Sequence, residues 1–373
     1  MAGLREVLRL VLLVLSLSSF VLAVPTVTYT SPTPSDGATV LSIPVTINTT
    51  IVESDLQKLI YNWNGTNYTL FNDSFVVLFN FDNQSSLGDN ATYVVDMTRY
   101  KNNGTFVNGP IYTKSGKYRS AIQLDGINDY VSVPDTSTLD FGTGGFSVSF
   151  WVNASSLSYS SSAQLIVKRV SGGGNFEVQV SNGRLETYLE GTGQGTLNLL
   201  STYNLSQHLN EWVFVTLNRA GTTAGLYVNG LLNVSGSSAH NVDNNNPLNI
   251  GRDVDGGNEF FNGSIDEVMI YNRGLSTQEI YQLYVSNLRK LNTTQWEFYV
   301  AQNQNITSTL SESAYSYFVT AENSSAASSG STSRTVTYST SSSSSVPEWD
   351  DFAMVGIIIV ALSGFFYLKK EEA

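Results

Sequence analysis

The chain holds few residues able to do covalent or acid–base chemistry, and their spacing does not favour it. Among 373 residues there are two histidines, His208 and His240, and no cysteine. A Ser-His-Asp triad needs a histidine in reach of a serine and a carboxylate, and neither histidine lies in a recognisable context. A zinc site draws on cysteines or closely spaced histidines, and neither pattern is present. No glycine loop leads into a helix long enough to cradle a phosphate. Asp266 and Glu267 stand side by side, and retaining glycoside hydrolysis uses two carboxyls about 5 Å apart. Adjacent residues of a strand, however, point to opposite faces, so this pair is not expected to act together. The residue inventory predicts no enzyme.

Composition turns attention to recognition instead. Aromatic residues make up 12%, and 30 glycines punctuate short β-branched runs, which predicts an all-β chain. The net charge is −12 with 13% charged residues, a balance that argues against a nucleic-acid partner and against the carboxylate-dense surface of an extreme halophile. Without cysteine there are no disulfides, so the core must be large enough to hold the fold alone.

Two phrases carry most of the information. In Gly263–Ser276 (GSIDEVMIYNRGLS), Ile265, Val268 and Ile270 form a β-branched run, and Ser276 with Glu279 makes a capping box. Ile280, Leu283 and Tyr284 follow at helical spacing. In Ala121–Asp135 (AIQLDGINDYVSVPD), Ile122 and Leu124 share a face, Asp125–Gly126 turns, and Tyr130, Val131 and Val133 resume a strand. Between them, Phe146, Val148, Phe150 and Val152 alternate with Ser147, Ser149 and Trp151, and Asn182–Gly183 and Asn229–Gly230 are hairpin signals. The phrases FSVSFWV, EWVFVTLNR, AGLYVNG and NIGRD stand in the order found in LamG-like domains, and residues 73–288 resemble that concanavalin A-like jelly roll.

The resemblance implies a domain that binds carbohydrates, proteins or cell-surface components, often with one Ca²⁺. Carried onto this sequence, the early FNFDN and late GSIDEV strands imply Asp82 and Asp266 as calcium ligands, joined by Asp96 and by Asn102 or Asn103. The plainer reading makes Asp82 and Asp96 turn residues and Asp266 an acceptor at a strand edge. Hydrolases on this fold use an acid–x–acid–x–acid strand, and none is expected here. The loops around Ser171–Asn175, His240–Asn246 and Asp253–Asn258 suit sugar hydroxyls, and equally suit ordinary solvated loops.

The flanks read as short strands. Thr26–Thr30, Val45–Thr50, Leu59–Trp63 and Tyr68–Phe71 are too few to close a sandwich, while Trp296–Val300, Tyr315–Thr320 and Arg334–Tyr338 continue the style after the jelly roll. Residues 24–72 and 289–340 are therefore expected to form one split sandwich that resembles an Ig- or fibronectin-like domain, with 73–288 inserted in it. From residue 321 to 345 the composition shifts to Ser, Thr and Ala, which predicts an extended stalk.

Both ends are membrane-directed. Arg5, Arg9 and the apolar run Leu10–Leu22 before Ala23 predict a signal peptide over 1–23, the alternative being an uncleaved anchor. The uncharged stretch Phe352–Leu368, followed by Lys369 and Lys370, predicts a transmembrane helix and basic tail over 350–373. Residues 341–349 hold a Ser-rich stalk and a Val346-Pro347-Glu348-Trp349 segment that also resembles exosortase- or archaeosortase-type sorting signals. Sequons occur at Asn48, Asn64, Asn67, Asn72, Asn83, Asn90, Asn103, Asn153, Asn204, Asn233, Asn262, Asn292, Asn305 and Asn323. Together these features resemble a membrane-anchored, archaeal-type surface glycoprotein, exposed at the cell surface and recognising glycans or surface proteins without catalysis. A structural coat protein without a specific ligand, or a hydrolase on the same fold, are the alternatives.

Overall fold

The computed structural model describes residues 24–157, 162–253, 259–302 and 309–340. The signal-peptide, VPEW and transmembrane expectations, together with Asn305 and most of the loop at 254–258, lie outside the described residues. Among the described residues no helix is long and apolar enough to cross a membrane.

The middle of the chain folds as two facing eight-stranded sheets. The first, sheet I, runs in the order Leu231–Ser237, Thr223–Val228, Val213–Ala220, Phe146–Ser156, Asn262–Tyr271, Ala121–Asp125, Ile111–Thr113, with Phe75–Phe79 also paired to Asn262–Tyr271. The second, sheet II, runs Gly195–Asn204, Arg184–Gly191, Asn175–Ser181, Ala163–Lys168, Leu248–Ile250, Tyr130–Val133, Gly104–Val107, Tyr93–Val94. Hairpins set the register where the sequence says they should. Asn182–Gly183 (φ 49° and 77°) and Asn229–Gly230 (φ 50° and 80°) both take the positive φ that primed turns require.

Alternation builds the core. Phe146, Val148, Phe150 and Val152 point between the sheets, where they join Phe176, Val178, Leu217 and Ile250. The opposite face of the same strand is sealed as well: Ser147 and Ser149 are fully buried and Trp151 is 2% exposed. Two structures cover it. One is the helix Thr277–Val285, whose Ser276–Glu279 capping box forms as the sequence predicts. The other is a second, smaller sandwich.

That sandwich takes strands from both flanks. Thr26–Thr30, Val45–Val52, Gln295–Gln302 and Ser286–Asn292 make a four-stranded sheet. Ala38–Val40, Arg334–Tyr338, Ser313–Asn323, Leu56–Trp63 and Thr66–Phe71, with Ser328–Gly330 on the side, make a six-stranded one. Val45–Val52 pairs with Gln295–Gln302, and Leu56–Trp63 with Ser313–Asn323, both antiparallel, so neither flank closes a sheet without the other. Strand Ser286–Asn292 straddles the expected boundary at 288. Strand Arg334–Tyr338 lies where the sequence places it, with Val336 buried in the six-stranded sheet. The stalk reading fails over 321–333, where strand Ser313–Asn323 continues with Ala321 buried and Ser328–Gly330 pairs with it, because a strand needs apolar residues only on its inward face and composition alone misses that pattern.

The two domains share one apolar junction. Trp151, Phe214, Tyr227, Met269 and Tyr271 on the outer face of sheet I pack in a single cluster with Ile280 and Leu283 of the helix and with Leu70, Phe75, Trp296 and Phe298. Burying a large side chain contributes about 1.5–3 kcal/mol, so the jelly roll is expected to depend on its covering. Residues 73–285 expressed alone should expose this face, bind a hydrophobic dye and aggregate, whereas 24–340 should stay monomeric. Residues 24–72 alone should give the circular dichroism of an unfolded chain. A soluble, dye-silent 73–285 fragment would contradict this picture.

Candidate functional site

The four calcium candidates divide into two places. Asp96 is fully buried, and its carboxylate accepts from the backbone N–H of Leu78, Thr98 and Asn102 and from the Thr98 hydroxyl. Asn102 donates to the Val76 carbonyl and accepts from the Thr136 hydroxyl, and Asn103 accepts from the Asp96 N–H. These groups hold the segment 96–103 against strand Phe75–Phe79. Their oxygens are occupied by that task.

Asp82 and Asp266 are brought together, and Glu267 joins them. The sequence reading placed Asp266 and Glu267 on opposite faces, and the structure corrects this. The pairing of Asn262–Tyr271 with Phe146–Ser156 shifts register between Ser149 and Trp151, and Glu267 takes φ 51°, a backbone state that side chains rarely adopt. Ile265 and Val268 consequently both face the jelly-roll core, and the extra residue leaves Asp266 and Glu267 together on the outer side. Asp266 accepts from the Tyr118 N–H at 3.1 Å, and Glu267 accepts from the Asn80 amide. Asp82 accepts from the Ser120 N–H at 3.3 Å.

Burial, with the negative charge of Asp82, pushes the Asp266 carboxyl well above the usual carboxylate range. Glu267 is pushed up by burial and by the charges of Asp266 and Asp82. Lys117, Arg119 and Arg289 lie close enough to act on these groups. Asp82 Oδ2 and Glu267 Oε1 have no hydrogen-bond partner, which fits a hard cation that completes the shell. Among the described residues no group of three acidic, histidine or cysteine side chains is placed to hold a metal ion. With Asp266 at 0% and Glu267 at 1% exposure, neither can touch a substrate.

A different surface can touch one. The outer face of sheet II carries an open cleft of about 300 Å³ lined by Ser162, Gln164, Arg169, Glu177, Gln179, Tyr188, Glu190, Thr196 and Glu259. Strand alternation puts these groups there: Phe176, Val178 and Val180 face the core, so Asn175, Glu177 and Gln179 face out, and Glu186, Tyr188 and Glu190 do the same across the hairpin. The side chains hold one another. Gln164 Nε2 donates to Gln179 (2.7 Å) and Glu259 (2.8 Å), Gln179 Nε2 donates to Glu186 (2.7 Å), and Asn175 donates to Glu190 (2.8 Å). Arg169 pairs with Asp253 at 3.0 Å and approaches Glu177 at 3.6 Å. Glu177, 4% exposed, is pushed up to about 7 by burial, against the pull of Arg169 and with the charges of Asp253, Glu190 and Glu259 adding to it.

Sequence reasoning missed this cleft. Its signal was the polar alternation of 175–181 and 184–190, which was read only for its apolar half. The loops it favoured serve other ends: His240 Nδ1 meets the Leu189 carbonyl, Asn246 donates to the Arg169 carbonyl and Asn244 to that of Gly174. Among their described residues, Asn175 reaches the cleft through Glu190 and Asp253 reaches its edge through Arg169. Of the sequons, Asn64, Asn67, Asn83 and Asn90 are exposed and Asn323 is buried. The remaining described ones, Asn48, Asn72, Asn103, Asn153, Asn204, Asn233, Asn262 and Asn292, are half-buried.

Known proteins can now be set beside this geometry. Residues 125–281 match the Laminin_G_3 family model, the concanavalin A-like lectin/glucanases superfamily. That match covers less than half of the chain and lies within the jelly roll. Similar solved structures include the binding domain of Paraclostridial Mosquitocidal Protein 1 (19% identity, 57% of this chain and 52% of that one, TM-score 0.48). Domain 4 of AbnA, a GH43 extracellular arabinanase from Geobacillus stearothermophilus in complex with arabinotriose, is 19% identical over 57% of this chain and 98% of that one, with TM-score 0.46. The botulinum neurotoxin serotype D binding domain is 21% identical over 57% of this chain and 51% of that one, also with TM-score 0.46. The match spans about half the length of the first and third of these chains. No curated protein matches the chain.

The jelly roll's buried acids set a pH dependence. Because folding raises the pKa of Asp266 and Glu267, the folded state holds protons that the unfolded chain releases above about pH 4, and stability falls as pH rises through the folded values. In chelator, Glu267→Gln should flatten that fall and stabilise the protein at pH 8 by about 1–2 kcal/mol, read from denaturant midpoints. An unchanged pH profile would mean that Glu267 is ionised and compensated.

Proposed function

We propose that the protein is a non-catalytic cell-surface recognition or adhesion protein that binds carbohydrate, free or on a surface glycoprotein, through its concanavalin A-like domain. The observation that carries this reading is the sheet II cleft: amide, carboxylate, guanidinium and phenol groups stand on a rigid sheet, mutually hydrogen-bonded and open to solvent. Sugar recognition needs such an array of fixed polar groups, because a pre-set donor or acceptor loses little entropy on binding. Attachment by a C-terminal helix, export by the N-terminal segment and glycosylation at exposed sequons complete the proposal.

One observation favours a second reading, a glycoside hydrolase. Glu177, at about 7, has the pKa of a general acid, and Glu190 stands diagonally across the hairpin from it. Against this, Arg169 lies beside Glu177 and Asn175 holds Glu190, so both carboxylates are engaged in keeping the cleft together. A glycan array probed with the 24–340 fragment should show binding that Gln179→Ala and Tyr188→Ala each weaken about tenfold or more. Mass spectrometry of the incubated oligosaccharides should find no cleavage. Cleavage abolished by Glu177→Gln would establish the hydrolase instead, and a silent array would point to a structural coat protein.

Calcium belongs to the same proposal. Asp82 and Asp266, two of the expected ligands, would hold the ion with nearby carbonyls, and its charge would keep the buried carboxylates ionised while bolting the junction. The melting temperature should then rise by several degrees in Ca²⁺ over chelator, in line with ligand linkage, and Asp82→Asn should remove the difference. Identical melting in both buffers would dispose of the ion.

A further inference from the structure

The cleft on sheet II is short of positive charge. Glu177, Glu190 and Glu259 line it together with one cation, Arg169, and Arg169 already serves Asp253 at 3.0 Å as well as Glu177. Among the described residues, Glu190 and Glu259 receive amide donors, from Asn175 and Gln164. A second observation points the same way. The Gln164 amide orientation is fixed by its two acceptors, Gln179 and Glu259, which leaves its Oε1 without a partner although the residue is 1% exposed. An orphaned buried acceptor costs free energy until something donates to it. The cleft is therefore rich in acceptors and poor in donors, and it lies in a field that repels anions.

We propose that this cleft selects glycans bearing a free, protonated amino group, a de-N-acetylated hexosamine polymer being the type, over neutral and acidic glycans. The inference rests on the carbohydrate reading above and specifies its ligand. An ammonium placed among Glu177, Glu190 and Glu259 supplies three donors where the walls offer acceptors, and the sugar hydroxyls fall to Gln179 and Tyr188. A uronate or sulfate in the same place meets like charge with one guanidinium to answer it. The raised pKa of Glu177, caused by burial and by Asp253, Glu190 and Glu259 despite Arg169, agrees with a negative field that the protein itself leaves uncompensated.

The experiment compares three oligosaccharides of equal length by calorimetry on the 24–340 fragment: glucosamine, N-acetylglucosamine and galacturonate oligomers. The glucosamine oligomer should bind at least about tenfold more tightly than its N-acetylated form, the advantage should shrink with added salt, and galacturonate should not bind. The double substitution Glu190→Gln with Glu259→Gln keeps the amide contacts possible and should erase the preference while leaving the melting temperature near that of the parent. If neutral or acidic oligomers bind as well as the glucosamine oligomer, in a manner that Tyr188→Ala weakens, this inference falls while the carbohydrate reading stands. If no oligosaccharide binds, or a lysine-rich peptide binds in their place, both fall.

Discussion

The central strands of sheet I have no face to give to water. Asn262–Tyr271 sends Ile265, Val268 and Ile270 into the jelly roll and Met269 and Tyr271 into the junction, and beside it the residues from Phe146 to Val152 are buried on both sides. An antiparallel sheet usually keeps one face solvated. Here both faces must be covered, and the covering is what draws the chain ends together: the helix Thr277–Val285 and a sandwich whose sheets each need strands from both flanks. Sheet II escapes this constraint. Its outer face remains free to carry polar groups, which is why the polar cleft lies there and not on its partner.

The same constraint explains the fate of the acids. On the covered sheet, the bulge at Glu267 drives two carboxylates into a junction already lined by Trp151, Tyr118 and Phe298, where burial dominates their chemistry. On the open sheet, Glu177 and Glu190 stand in a trough that solvent and ligands can reach. Carboxylates of similar type thus divide into a sealed set in the junction and a set that lines an open cleft. The division follows from which sheet face is roofed.

Much of this was written in the sequence, and unevenly so. The Asn182–Gly183 and Asn229–Gly230 turns and the Ser276–Glu279 cap were legible because each is a local interaction between residues a few positions apart. The jelly-roll core was legible because Phe146, Val148, Phe150 and Val152 alternate. The bulge was not, because nothing in an Ile-Asp-Glu-Val run marks Glu267 for a positive φ; the neighbouring strand imposes it. The strand pairing within 321–333 was obscured by composition, since the single buried Ala321 is enough to anchor the end of its strand.

The cleft was obscured for a different reason. Glu177, Gln179, Glu186 and Glu190 become a site only when two strands and the segment holding Gln164 and Glu259 lie side by side, and the residues that meet are up to 95 positions apart. Reading the polar half of an alternating strand as mere solvent contact discards this information. Ordinary outward-facing residues are exposed and make few bonds to one another, whereas Gln164, Glu177, Gln179 and Glu186 are each 5% exposed or less on a surface that no other described element covers. Polar side chains packed that closely on an open sheet give up hydration, and mutual hydrogen bonds offset only part of that cost. The unsatisfied remainder, most plainly Gln164 Oε1, marks the place where a ligand has something to gain.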